Sequence, residues 1–270
     1  MNSQILFLGT GGDSIVVGKQ YRTSGGIILN LNDMQFHLDP GPGALIMAKM
    51  YGINIRENVG VFVSHNHINH ANDVNAVISA MTHNGLDKKG VLVINKSALY
   101  GTPEDSPFLK EFYGKCVEKI IEADSVNKLG IEDIDIRITK AQHGENDTVG
   151  FKFITKNFTI SYASDTIFNK EIAEQYMNTD ILILNVVYPG DTFSKTNLNT
   201  AQAIKFINFV KPRLAIITHF GIKMLQADPL YEAREIQKET KIHTIAAKDG
   251  MIINPQSFSS RIIQKTLKGY

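Results

Sequence analysis

The sequence predicts an α/β fold in four layers, two β-sheets packed face to face with helices over each outer surface. Three observations lead there. Short β-branched and aliphatic runs open each half of the chain, helical spacing follows them, and the second half then alternates helix with strand. We read residues 1–270 as one domain whose two related halves meet near residue 145. Ile5–Leu8, Gly26–Leu31 and Met34–Leu38 read as strands, the last two joined by a turn at Asn32-Asp33. Pro40-Gly41-Pro42-Gly43 breaks the chain before a short helix at Ala44–Tyr51. Val59–Ser64 is a further strand, and Val74, Val77, Ile78 and Met81 mark a helix over Asp73–Met81. Val91–Ile94 and Val117–Glu122 read as strands, with a helix around Phe108–Tyr113 between them. Ile134, Ile136 and Ile138 alternate with polar residues as a half-buried strand does. Gly150–Ile154 and Phe158–Ala163 form a hairpin. Helices at Glu171–Met177, Thr200–Val210 and Leu230–Thr240 then alternate with strands at Ile181–Val187, Leu214–Thr218, Ile242–Ala246 and Met251–Ile253.

Composition narrows the function classes. Of 270 residues, 43% are apolar and 20% charged, enough for a large core without covalent staples. The 28 basic and 27 acidic side chains leave a net charge of +1, against a broad nucleic-acid footprint. A single cysteine, Cys116, leaves no partner for an internal disulfide and fits a reducing compartment. The longest apolar runs, such as Ile181–Leu184, are far shorter than the ~18 residues of a membrane span. No export signal is visible at the start, and a cytoplasmic enzyme is expected.

Ser64-His65-Asn66-His67-Ile68-Asn69-His70 carries the chemistry. It follows a strand and precedes a helix, so its side chains gather at a strand's carboxyl end. With 8 histidines in the chain, three at this spacing would arise by chance in roughly 0.007 sequences of this length. Three imidazoles within six residues are enough for two adjacent metal positions. His143, Asp165 and His219 each stand where a predicted strand yields to a loop, on the same edge of an α/β stack. With the triple-histidine segment they supply the nitrogen and oxygen donors zinc prefers.

These features together resemble the metallo-β-lactamase superfamily of hydrolases. The likeness runs from Phe7-Leu8-Gly9-Thr10-Gly11-Gly12 through Leu38-Asp39-Pro40-Gly41 and the histidine cluster to His143, Asp165 and His219. Lys248-Asp249-Gly250-Met251 resembles the closing strand of the ribonuclease Z and phosphodiesterase branch. The resemblance implies an αββα sandwich with metals at the seam. It implies that His65, His67 and His143 hold a first ion, that Asn69, His70 and His219 serve a second, and that Asp165 bridges them. Asp39 would orient a ligand imidazole from behind. Zinc is the expected metal, as one or two ions, with manganese or iron as substitutes.

Two positions depart from the family pattern. Asn69 stands where relatives usually carry an aspartate, so weak occupancy of the second ion is expected. Asn197 stands where ribonuclease Z-like relatives place a histidine against the leaving phosphate, and an amide cannot protonate a leaving group. Asn69, Asp165 and Asn197 are thus the expected catalytic positions. Lys195, Lys223 and Tyr188 are candidates for phosphate contact, while His37, His83 and His243 are read as structural.

The expected activity is hydrolysis of small or cyclic phosphodiesters by a metal-held hydroxide. The chain is too short for the inserted domain of the RNA-cleaving branch and lacks a Gly/Pro-rich arm for transfer RNA, so a small-molecule phosphoester is the expected partner. Homodimers are common in the family and are expected here. Two alternatives stand beside this: a thioester or lactone hydrolase, and a degenerate member acting as a binding or regulatory module.

Overall fold

The computed structural model describes residues 3–123, 128–144 and 146–259. In chain order the strands are β1 (Gln4–Phe7), β2 (Ile27–Leu31), β3 (Met34–Leu38), β4 (Asn58–Val63), β5 (Val91–Ile94), β6 (Lys119–Glu122), β7 (Lys128–Ile131), β8 (Ile134–His143), β9 (Asn146–Ile154), β10 (Thr159–Tyr162), β11 (Ile181–Tyr188), β12 (Leu198–Asn199), β13 (Leu214–Thr218), β14 (His243–Ala246) and β15 (Ile252–Ile253). One sheet runs β15-β1-β2-β3-β4-β5-β6. The other runs β14-β13-β11-β10-β9-β8-β7, with β12 paired to β11. Asn32 and Asp33 both take positive φ, the geometry a tight two-residue turn between β2 and β3 demands.

Three cores account for the four layers. Phe36, Phe62, Phe151, Phe153, Leu29 and Ile160 belong to the core between the sheets. Phe62 stacks edge-on at 5.2 Å against both Phe151 and Phe153, joining the first sheet to the second. A second core lies under Val74–Thr82 and Ala44–Met50, and a third under Thr200–Val210 and Pro229–Thr240. The central strands β11 and β13 are buried on both faces, as strands covered twice must be, whereas β8 alternates buried with exposed residues.

Helical crossovers make β3, β4 and β5 parallel in one sheet and β10, β11, β13 and β14 parallel in the other. The histidine motif follows β4, Asp165 follows β10 and His219 follows β13, while His143 is the last residue of β8. Among the described residues, no helix is long and apolar enough to cross a membrane.

The structure differs from the sequence expectation in three places. The sheets change over between Glu122 and Lys128 rather than near residue 145, itself outside the described residues; His143 and Asn146 pair within one antiparallel ladder, so no boundary falls there. The helix expected at Phe108–Tyr113 is Glu111–Cys116, because the Phe108 and Leu109 amides bond the Ala98 carbonyl and Asn75 accepts from the Lys110 amide. Ser14–Gly18, Ile68–Ala71, Lys96–Tyr100 and Ile222–Ala227 are helices too short for hydrophobic periodicity to mark.

Phe62→Ala leaves a void between the sheets and is expected to cost about 3–5 kcal/mol of unfolding free energy, measured by urea denaturation with an unchanged m-value.

Candidate metal centre

Asp39 lies immediately after β3, buried and at φ 48°, a backbone setting few non-glycine residues adopt. Its Oδ1 accepts from the Ser64 amide at 2.7 Å. Its Oδ2 accepts from Ser64 Oγ and Tyr162 OH at 2.7 Å and from His70 Nδ1 at 2.8 Å. Burial and the neighbouring Asp39 carboxylate push the Tyr162 phenol well above its ordinary pKa, so it stays a donor. Ser64 Oγ, having given its proton to Asp39, accepts from His65 Nδ1 at 2.9 Å. His65 therefore carries its proton on Nδ1 and turns a bare Nε2 toward the space that His70 Nε2 also faces. His143 is set the same way, its Nδ1 donating to the Thr196 carbonyl at 2.7 Å.

Asp165 stands in the middle of that space. Its Oδ1 accepts from Asn185 Nδ2 at 2.7 Å and its Oδ2 from Asn197 Nδ2 at 3.0 Å. His219 Nε2 lies 3.4 Å from Oδ1, and His70 and His143 Nε2 lie 3.6 and 3.7 Å from Oδ2. Burial alone would raise Asp165, but His219 and His70 hold it well below the usual carboxylate range. Burial lowers His65 strongly and brings His67 and His219 to about 4, so these imidazoles are neutral and offer lone pairs. His70 is also desolvated, yet Asp165 and Asp39 on either side raise it to about 10. The imidazolium is then the cation between the two carboxylates, and a metal ion at Nε2 would take the place of its proton.

His219 is placed by the Gly-rich opening of the chain. It follows β13 at φ 64°, the Phe220 amide bonds the Thr10 carbonyl at 2.7 Å, and the Gly12 amide bonds the Phe220 carbonyl at 3.0 Å. A Cβ on Gly12 would stand 2.1 Å from the His219 carbonyl oxygen, so only glycine fits this close approach.

The donor atoms fall into two groups, one of His65, His67, His143 and Asp165 and one of His70, Asp165 and His219, each within 4.8 Å. His65 Nε2 and His143 Nε2 lie 3.0 and 3.2 Å from His67 Nδ1, and His70 Nε2 lies 3.2 Å from His219 Nε2. Ligands ~2.0–2.1 Å from one tetrahedral ion lie about 3.3 Å apart. The donor set therefore fits two metal ions sharing Asp165.

Residues 35–220 match the family model described as the beta-lactamase superfamily domain. The chain belongs to the beta-lactamase superfamily. An uncharacterised protein of Methanocaldococcus jannaschii is 30% identical over 253 residues, 93% of this chain and 94% of that one. Solved structures share the fold, three of them as follows. The metallo-β-lactamase fold protein YhfI of Bacillus subtilis aligns with a TM-score of 0.76 at 15% identity, covering 94% of this chain and 99% of that one. Zinc-bound PqqB of Methylobacterium extorquens gives 0.67 at 11%, covering 93% and 99%. The short form of human tRNase Z gives 0.66 at 14%, covering 93% and 98%.

Within this superfamily fold, several residues behave differently from the sequence expectation. Asn69, expected among the ligands of the second ion, turns its amide nitrogen inward: Nδ2 lies 3.1 Å from both the Gly12 carbonyl and His219 Nε2. Flipping the amide would set two oxygens 3.1 Å apart, so the Gly12 carbonyl holds this orientation. Asn197, expected against a leaving group, is committed instead to Asp165 through Nδ2 and to Thr196 Oγ1 through its oxygen. Lys195 and Lys223 are absent from the linings of the cavities beside the ligands, where Tyr188 is present. His37, His83 and His243 lie outside both donor groups, His37 buried with Nε2 on the Gly25 carbonyl. Asn185 and Tyr162 escaped the sequence reading. The signal for Asn185 was a lone amide within the apolar run Ile181–Val187, where an unpaired polar group would be costly.

Asn69→Asp replaces a donor that caps the His219 lone pair with an acceptor that can ligate. Zinc retained after dialysis, measured by elemental analysis, should rise from about one towards about two ions per chain. Equal retention by both proteins would contradict this.

Proposed function

We propose that this chain hydrolyses small phosphodiesters, using two transition-metal ions, zinc foremost, held across Asp165. The reading is carried by the two donor groups that share that carboxylate. Asp165, rather than a thiolate, favours hard, oxygen-rich substrates such as phosphoesters. When bound, a metal pair supplies Lewis acidity, activating water and neutralising charge on the substrate's oxygens.

The protein's own residues do the rest. Asn185 and Asn197 fix the Asp165 carboxylate from two sides, so neither oxygen can swing away from its imidazoles. Asp39 fixes the tautomers of His65 (through Ser64) and His70. A cavity of about 450 Å³ opens over His67, His143 and Asp165, giving a substrate access. Of the acids lining it, Asp13 already accepts from the Val16 and Ile222 amides at 2.7 Å, and Asp165 is ionised. No carboxylic acid is poised there to protonate a leaving group, so esters of acidic phenols suit this site better than alkyl esters.

The likeness to human tRNase Z supports phosphodiester chemistry, while the charge balance of +1 favours a small substrate over RNA. One observation favours a binding module instead: the Asn69 amide already occupies the His219 lone pair.

Turnover of bis(4-nitrophenyl) phosphate in zinc or manganese decides between them. The native protein is expected to release 4-nitrophenolate, with loss of at least about 100-fold in His65→Ala and on chelation. A native protein without turnover, gaining it on Asn69→Asp, would establish the binding-module reading.

A further inference from the structure

A second, larger cavity of about 780 Å³ adjoins the metal centre, in the size range of small-molecule pockets. Ser14, His67 and Asn69 line it together with the cavity over the ligands, so the two are neighbours across those side chains. Its apolar wall is Val17, Ile68 and Phe108. Ile68 is 62% exposed although it sits inside the histidine motif between two candidate ligand positions. With Val17 and Phe108 it gives the cavity an apolar face on which an apolar group can rest.

The charge on the same lining is one-signed. Glu104 and Asp105 belong to it, both exposed, and the Thr102 hydroxyl accepts from both their amides. Among the described residues no Lys or Arg lines either cavity, and no salt bridge engages Glu104 or Asp105. Among the described residues lining the two cavities nothing adds to the positive charge that the ions at Asp165 would supply, so a second anion on the substrate would meet no cationic side chain there.

Resting on the phosphodiester reading, we propose that the Val17–Ile68–Phe108 cavity takes the non-leaving arm of the substrate, and that this arm is apolar, carries a positive charge facing Glu104 and Asp105, and bears no second anion. Nucleotides and oligonucleotides are thereby poor substrates, and a diester with an aryl or alkyl ammonium arm is a good one. In the reaction a water oxygen bonds to phosphorus, the phosphorus–oxygen bond to the leaving group breaks, and the arm stays on the phosphomonoester product.

Three aryl 4-nitrophenyl phosphates test this, the aryl ring bearing a para methyl, trimethylammoniomethyl or carboxymethyl group. The methylene insulates phosphorus from the charge, and all three release the same 4-nitrophenolate. The expected order of kcat/KM is cationic, neutral, anionic, with at least a tenfold span carried mainly by KM and shrinking as salt is raised. Glu104→Gln with Asp105→Asn should collapse the span without altering zinc content. Equal kcat/KM for the three, or a preference for the carboxylate arm, overturns the cavity assignment and leaves the phosphodiester reading standing. Absence of turnover for all three overturns that reading and the assignment with it.

Discussion

Asp39 is the constraint on which the centre depends. A buried carboxylate is tolerable only when its oxygens are fully engaged, and this one accepts four hydrogen bonds. Two reach the histidine motif directly, through the Ser64 amide and His70, and a third passes through Ser64 Oγ to His65. The fourth comes from Tyr162 on β10 of the opposite sheet. A single buried side chain thus orients two imidazoles and ties the sheet that carries them to the opposite one. Removing its charge would leave those ring nitrogens without a fixed tautomer even if the fold survived.

The edge where strands end supplies the rest, and it is strained where it matters. Asp39, Ser164 and His219 are non-glycine residues at φ 48°, 55° and 64°, each at or beside a side chain that faces the metal space. Such settings persist only where surrounding bonds over-determine them. Here the bonds are the Thr10–Phe220 and Gly12–Phe220 ladder and the tight packing of Gly12 on the His219 backbone. Asp249 adds a clasp, accepting from Thr10 Oγ1 at 2.6 Å and from the Thr23 amide at 2.8 Å, so the far end of the chain holds the opening loop in place.

Much of this was legible in the sequence, for local reasons. The histidine motif is contiguous, and alternation of period two marks β8 up to the approach to His143, so ligand types and their strand-end positions could be read directly. What was hidden is long-range. Nothing near Asn197 says that its amide will meet Asp165 across 32 residues, or that Asn69 will face the Gly12 carbonyl rather than an ion. Tyr162 reads as one more strand residue until the opposite sheet brings Asp39 beneath it. The sheet changeover was misplaced because β7, β8 and β9 form a meander whose pattern resembles the strands before it. Lys195 and Lys223 were attractive by charge alone, and charge does not say which way a loop faces.

Imidazoles from three separate stretches of chain, residues 65–70, 143 and 219, converge on one shared carboxylate, and the site we propose captures a transition metal there. Anomalous diffraction at the zinc edge, from crystals grown with zinc, tests it most directly. The account predicts a strong peak among His65, His67, His143 and Asp165, and a weaker one among His70, Asp165 and His219. Zinc bound elsewhere on the molecule, with no anomalous density beside Asp165, would contradict it.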